Sequence, residues 1–462
     1  MDLFRLTATE ASAMYRRGEV SPVDVLESAI ARTEATEPRI NAVTEQWVDE
    51  ARAAAAASEA RLARGERIGA LEGIPLMLKD EQPVAGRLLE DGSLLDKGSI
   101  ATETHPIVER IQAAGAVVHG RTTTPEYCCA PVTHSKLWGI TRNPWNTDFT
   151  PGGSSGGSGA VLAAGSTILA TGSDIGGSIR IPSSFCGVIG FKPPFARVPG
   201  LAPFNSDTYC ADGPMGRSVA DVALLQNVIS GPWVGDAASL REVVTVSGEA
   251  GPLTGMRIAV CLDLGGYEVD PVVEANTCAV AEALVAAGAK VDFVELPWGP
   301  DRVLKTAWPH FGAVMGPFIE SVLEGDPARA EQLMPYTRAF AESAGGDYVE
   351  GLVAETAFYR PFAELMTGYD ALVCPTIATT GLAADEPSTD SAAIFSQLMT
   401  LPFNVIGRVP VLAVPSGLAP NGVPTGVQIV GRTFDDATVF RVGAALEQEL
   451  GLWTDPAWWP AV

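Results

Sequence analysis

The most informative part of the sequence reads PGGSSGGS at residues 151–158 and GSDIGGSIRIP at residues 172–182. Between these two loops, the apolar run at residues 160–170 is too short to span a bilayer and predicts a buried helix. Glycines permit unusual backbone angles and the close approach of a ligand, and successive amides in such turns converge on a developing oxyanion. Two such loops around one buried helix therefore indicate a site, with Ser178 placed beside its own amide donors.

Two better-known loop types do not fit these glycine-rich segments. The first loop lacks the Gly-Lys-Ser/Thr ending of a phosphate-binding loop, so no lysine is placed to reach a phosphate. Residues 152–156 and 153–157 match the GxSxG pattern of α/β-hydrolases, which requires a preceding strand and a later histidine. Residues 143–146 (NPWN) do not resemble a strand, and the only histidine after Ser154 is His310. We therefore treat both matches as coincidental.

A serine nucleophile without a usable histidine needs a different base. Lysine serves when burial lowers its pKa enough to keep the amine neutral. Lys79 follows the apolar residues 76–78 in the segment GIPLMLKD, which predicts a short strand that carries the lysine toward the interior. Taken alone, the same segment also fits a lysine whose charged end reaches the surface.

Several further segments carry a resemblance to a known family. FCGVIGFKP at residues 185–193 extends the two loops, and GPMGRS at 213–218 and GVPTGVQ at 422–428 lie further along the chain. With residues 152–158 and 172–180, these segments resemble the amidase signature family. The resemblance covers nearly the whole chain and includes the helical N-terminal region.

The resemblance implies a catalytic triad of serine, serine and lysine. By motif position, Ser178 is the expected nucleophile, Ser154 the bridging serine after a cis peptide bond, and Lys79 the base. The backbone amides expected to form the oxyanion hole are those of Ile175, Gly176, Gly177 and Ser178. Ser155 and Asp174 are expected to hold the loops in shape rather than perform chemistry.

The sequence departs from the family pattern at a few positions near the expected site. Ser173 stands where threonine is usual, and Glu81 stands where a neutral asparagine is more familiar. Glu81 is close enough in sequence to affect the electrostatics of Lys79. Expected substrate-binding residues are Tyr127, Cys129, Gly153, Phe204 and Arg408, with core packing as the alternative for Tyr127, Cys129 and Phe204.

The resemblance implies a hydrolase of carbon–nitrogen bonds in linear amides. We expect an amidohydrolase for a small-molecule amide, with anilides (aryl acylamides) and carbamates (urethanes) as related substrates, because a carbamate follows the same acyl-enzyme route. The alternative within the family is the glutaminase subunit of a tRNA-dependent amidotransferase complex. That enzyme needs polar partners for the glutamine α-amino and α-carboxyl groups, and Arg408 is a candidate for the carboxylate.

Composition excludes several other classes of function. The chain of 462 residues has a net charge of -24, which argues against a nucleic-acid surface and against docking on anionic lipid. Residues 1–5 lack the apolar core of a signal peptide, so a cytoplasmic protein is expected. Many members of the resembled family pair as dimers, so the resemblance implies a monomer or homodimer. The seven cysteines show no CxxC pair, and the four histidines form no ligand cluster, which predicts reduced thiols and no metal or other cofactor.

The alternation of elements predicts an α/β fold. A strand at 257–262, a helix at 271–287 and a strand at 291–296 are typical of a mixed, mostly parallel central β-sheet covered by helices on both faces. We expect a single amidase domain over residues 1–462, with 231–255 as a candidate surface excursion. Its expected parts are N-terminal helices at 1–65, a signature core at about 70–220 and a C-terminal elaboration at about 256–462.

Overall fold

Capping motifs mark the starts of the first two helices, which lie within the helical region expected at residues 1–65. A computed structural model describes residues 2–385, 394–455 and 457–462. The Thr7 side chain accepts from the Glu10 amide while the Glu10 carboxylate accepts from the Thr7 amide, and Ser21 and Asp24 form the same capping box. Each box satisfies two amides that the first helical turn leaves without partners, so these local motifs determine where the first two helices start.

The helices and strands are the following, in chain order. The helices are α1 Ala8–Arg17, α2 Pro22–Ile40, α3 Val48–Ala63, α4 Pro106–Ala113, α5 Gly156–Ala164, α6 Arg180–Cys186, α7 Val219–Ile229, α8 Pro271–Ala286, α9 Pro300–Val322, α10 Pro335–Glu342, α11 Tyr348–Leu365, α12 Pro402–Val405 and α13 Asp436–Leu450. The strands are β1 Val43–Gln46, β2 Pro75–Lys79, β3 Val117–Thr122, β4 His134–Ser135, β5 Gly139–Ile140, β6 Leu169–Asp174, β7 Ile189–Lys192, β8 Ala211–Gly216, β9 Arg257–Val260, β10 Lys290–Phe293, β11 Ala371–Pro375, β12 Val411–Leu418 and β13 Pro424–Gly431.

One sheet of 11 strands runs through the molecule in the order β1-β3-β2-β6-β8-β7-β12-β13-β11-β9-β10. Strand β2 is parallel to β3 and β6, and β9 is parallel to β10 and β11. The other neighbouring pairs are antiparallel. The sheet is mixed, as predicted, but less parallel than expected. One reason is that the short turn at 419–423 joins β12 to β13, and so short a connection permits only an antiparallel pair.

Helices cover both faces of the sheet, as predicted. Along β11, Leu372 and Cys374 belong to one hydrophobic cluster, with side chains from α9 and α11. Ala371 and Val373 belong to a second cluster, with side chains from α7, α8 and α13. Since successive side chains of a strand point to opposite faces, each face of this strand is buried under its own helices.

Helix α5 is apolar and buried at every residue, which places it inside the molecule against the sheet. The helix is shorter than the apolar run in the sequence, because it ends at Gly165 in the left-handed conformation and Leu169 already begins β6. A Cβ at Gly157 would lie 2.5 Å from the Thr123 backbone nitrogen. This glycine therefore lets the first turn of α5 approach the segment that follows β3.

Candidate active site

Lys79 and the loop that carries Ser178 lie at the same edge of the sheet. Lys79 is the last residue of β2, which is fully buried between β3 and β6. Ser178 lies in the loop between β6 and α6. Because β2 and β6 are parallel, both positions lie at the carboxyl ends of their strands, where α/β folds commonly bind ligands.

The Lys79 ammonium group connects the two serine loops. Its Nζ lies 2.7 Å from Ser154 Oγ and 2.8 Å from Ser173 Oγ. The Gly153–Ser154 peptide bond is cis, as the family resemblance implies. The amide of Ser155 donates to the Ser178 carbonyl at 3.0 Å, so the loop before α5 and the loop after β6 are hydrogen-bonded side by side.

Asp174 shapes the loop that carries Ser178. Its carboxylate accepts from the amides of Gly177 at 2.8 Å and Ile179 at 3.2 Å. It also forms a fully buried ion pair with Arg180 at 2.9 Å. Burial raises the pKa of Asp174, but the Arg180 charge and hydrogen bonds, with that of Asn404, outweigh it and lower the pKa to about 2. The structure thus agrees with a shaping role for Asp174.

Three of the four amides expected in the oxyanion hole are available to a ligand. No residue in the described parts of the chain accepts a hydrogen bond from the amides of Ile175, Gly176 or Ser178. The Gly177 amide instead donates to Asp174 Oδ1. Gly177 has a φ of 127°, and a Cβ there would lie 2.1 Å from Thr400 Oγ1, so this turn requires glycine.

Glu81 contacts Lys79, the expected base, and this contact could not be read from the sequence alone. Its Oε1 lies 3.1 Å from Lys79 Nζ, and its Oε2 accepts from the Cys128 thiol at 2.8 Å. Burial lowers the pKa of Lys79, but the neighbouring Cys128 and Glu81 outweigh it and raise the pKa above its ordinary value, opposite to the lowering expected from burial alone. Because Cys128 is a thiol that donates to Glu81, the negative charge of this pair lies on Glu81. Lys79 and Glu81 lie in a turn closed by the hydrogen bond from the Gln82 amide to the Lys79 carbonyl, so the sequence signal is only that they are two residues apart. The Cys128 contact has no such local signal.

Two cavities meet beside the serines. The larger, of about 290 Å³, is lined by Ser154 and combines aromatic side chains with carboxylates. Its carboxylates belong to Glu81, Asp91, Glu103 and Asp212. The smaller is lined by Ser178 and by mainly apolar side chains, including those of Ile181, Phe311, Phe340, Phe395 and Leu398. Within the described residues, neither cavity has a lysine or arginine in its lining.

The expected substrate-binding residues divide between these cavities, with one exception. Tyr127 and Phe204 line the larger cavity, while Cys129 and Gly153 line the smaller one. Arg408 is exposed and lines neither of them. In the described part of the chain, no group of three or more histidine, cysteine, aspartate or glutamate side chains is placed to hold a metal ion.

Comparison with known proteins identifies the family. The family model described as Amidase matches residues 24–440. The chain belongs to this amidase family. A glutamyl-tRNA(Gln) amidotransferase subunit of Synechococcus sp. is 33% identical to it, over 97% of each sequence.

Solved structures of the amidase signature group share the fold. A bacterial aryl acylamidase belonging to the amidase signature enzymes has a TM-score of 0.88 at 28% identity, with 96% of each chain covered. A 6-aminohexanoate cyclic dimer hydrolase, solved with its substrate, has a TM-score of 0.87 at 28% identity, with 100% of this chain and 99% of that chain covered. The amidase family and this site geometry make the chain an amidase signature hydrolase. None of its helices in the described ranges has the length and apolar character needed to cross a membrane.

Proposed function

We propose that this amidase hydrolyses a small-molecule amide, anilide or carbamate as a stand-alone enzyme through a Ser178 acyl-enzyme. The observation that carries the proposal is the 2.7 Å contact between Lys79 Nζ and Ser154 Oγ, beside the loop of Ser178. Lys79 is completely buried. Among the described residues, the lining of the smaller cavity, which includes Ser178, has no histidine, and the lining of the larger cavity has only His105. His310 instead pairs with Asp207 at 2.7 Å.

The first step forms the acyl-enzyme. Lys79, once it has lost its proton, takes the proton of Ser154, which takes the proton of Ser178 as its Oγ attacks the carbonyl carbon. The negative charge that develops on the carbonyl oxygen is stabilised by the free amides of Ile175, Gly176 and Ser178.

The second step releases the amine and then the acyl group. The carbon–nitrogen bond breaks as Ser154 returns a proton to the leaving nitrogen and is itself reprotonated by Lys79. Water then attacks the acyl-enzyme and gives its proton to the same relay, which restores Ser178. A carbamate follows this route through a carbamoyl-enzyme.

A glutaminase that works within an amidotransferase complex is the second candidate, and the 33% identity to the Synechococcus amidotransferase protein favours it. The cavities argue against it. A bound glutamine presents an α-carboxylate, which proteins usually hold with arginine or lysine. Carboxylates line the larger cavity, whereas Arg408 lies exposed and outside both linings. This charge pattern supports a substrate without an anionic group.

A panel of substrates tests the proposal. Purified protein is incubated with a primary aliphatic amide, an anilide, an aryl carbamate and glutamine, and released amine or ammonia is measured. We expect cleavage of at least one of the first three and at least about 100-fold lower kcat/KM for glutamine, because an unpaired buried carboxylate is costly. Glutamine as the sole substrate would instead establish the glutaminase.

Gly177→Ala is expected to lower kcat for the best panel substrate by about 10- to 100-fold. The added methyl group would collide with Thr400 Oγ1, and the positive φ disfavours alanine, so the loop must shift with its amides. Gly251→Ala is the matched control, because nothing lies within 4 Å of its added Cβ. Steady-state kinetics of the two variants provide the comparison, and equal rates would show that the turn does not position the donors.

A further inference from the structure

Three acceptors surround the nitrogen of Lys79. Ser154 Oγ lies at 2.7 Å, Ser173 Oγ at 2.8 Å and Glu81 Oε1 at 3.1 Å. An ammonium group has three N–H bonds: the two serine oxygens accept two of them, and the Glu81 carboxylate adds an ion pair that favours the protonated form of Lys79. Glu81 is its counterion: Lys79 is fully buried, whereas the Glu81 carboxylate lines the larger cavity.

The same arrangement also prepares the neutral amine for its work as a base. A neutral amine has two N–H bonds and one lone pair. Lys79 donates one of these N–H bonds to the Ser173 oxygen, and the ion pair with Glu81 draws the other toward the carboxylate. When Ser173 and Glu81 take the two N–H bonds, the lone pair of Lys79 points at the remaining neighbour, Ser154.

We propose that Glu81 is a positioning residue for Lys79, which aims its lone pair at Ser154 and sets the pH range in which it accepts a proton. This inference rests on the proposed function of Lys79 as the base. The carboxylate favours the ammonium form, so Lys79 becomes neutral only at a higher pH than it would beside a neutral side chain. Activity should therefore fall toward acid with a midpoint that depends on Glu81.

Other titratable groups lie near the pair, and the acids and thiols among them act in the same direction. Those that face it from the surrounding elements are Cys128, Asp91, Cys210, Asp212 and, 3.5 Å beyond Asp212, His105. Burial raises the pKa of each of these acids and thiols. Any negative charge they acquire as pH rises further favours the Lys79 ammonium, so none of them reverses the expected effect of Glu81.

Two variants separate the effect of the Glu81 charge from the effect of its side-chain length. Glu81→Gln keeps the shape and one acceptor but removes the charge, whereas Glu81→Asp keeps the charge and withdraws it from Lys79. The rate of Ser178 labelling by a fluorophosphonate is measured against pH, which needs no knowledge of the substrate. In this reaction the Ser178 oxygen–phosphorus bond forms, fluoride leaves, and the serine proton passes through Ser154 to Lys79.

Glu81→Gln is expected to move the acid midpoint of labelling down by about one to three pH units, with a plateau rate close to the wild type. One pH unit below the wild-type midpoint, this variant should react at least about five times faster than the wild type. Glu81→Asp should keep the wild-type midpoint within about half a unit and lose about tenfold in plateau rate. Glu109→Gln, an exposed position on α4, controls for removal of a carboxylate elsewhere.

The outcomes distinguish the two proposals. Labelling of Ser178 with the same midpoint in the wild type and Glu81→Gln overturns the role of Glu81 and leaves the proposed hydrolase intact. Absence of labelling at every pH in the wild type overturns the proposed nucleophile, and the role of Glu81 with it. A midpoint shift in Glu81→Gln but not in Glu109→Gln supports the inference, because a purely structural ion pair would not move the pH profile.

Discussion

Ser178→Ala is expected to lower kcat for the best panel substrate by about 10⁴-fold or more, with no change in fold. Alanine has no Oγ, so neither the acyl-enzyme nor its proton transfer can occur. The free amides of the loop and the cavity remain, which leaves a small residual rate from binding and charge stabilisation alone. Steady-state kinetics and circular dichroism of the variant test this result.

A matched serine variant controls for the loss of a hydroxyl group. Ser321 is exposed at the end of α9, far along the chain from the loops, and Ser321→Ala should keep the wild-type rate and fluorophosphonate labelling. Ser178→Ala should lose both. If it keeps more than about a tenth of the wild-type rate, the nucleophile is another residue, since removal of a true nucleophile leaves far less.

Local rules predicted the parts of the site that depend on neighbouring residues. The apolar segment 76–78 forms β2 and delivers Lys79 into the interior, and the glycines of the two loops allow the close approach of α5 to its neighbours. These features follow from side-chain size and backbone freedom over a few residues. The family resemblance supplied an expectation that local rules left open, namely that Ser154 bridges Lys79 and Ser178.

Long-range contacts could not be predicted in the same way. The thiol of Cys128 reaches Glu81 across 47 positions of sequence, because the segment after β3 folds back over the end of β2. Arg408, a candidate ligand by charge alone, lies exposed outside the cavities. The sheet was predicted to be mixed and mostly parallel, whereas, among the described residues, six of its ten neighbouring strand pairs are antiparallel, because the direction of each pair depends on how the chain connects the two strands.

Asp174→Asn is expected to destabilise the protein by about 3–5 kcal/mol, because it leaves Arg180 buried without its counterion. Both side chains are fully buried, and Arg180 donates to both carboxylate oxygens. The amide of Gly177 also loses a charged acceptor, so the loop beside Ser178 loosens and kcat falls. Urea unfolding of the variant measures the loss, with exposed Asp148→Asn as the control.

The pH dependence of unfolding gives a second, independent test of Asp174. Its pKa is lowered to about 2 in the folded protein, below the ordinary value of 3.8, so the carboxylate stabilises the fold fully above that value. This contribution is lost as pH falls from about 5 toward 2. Asp174→Asn should therefore show a shallower fall in unfolding free energy over this range than the wild type.

The double variant Asp174→Asn/Arg180→Met should recover part of the unfolding free energy that Asp174→Asn loses, because Arg180 no longer leaves an unpaired charge in the interior. No recovery would mean that the pair acts chiefly through the loop amides.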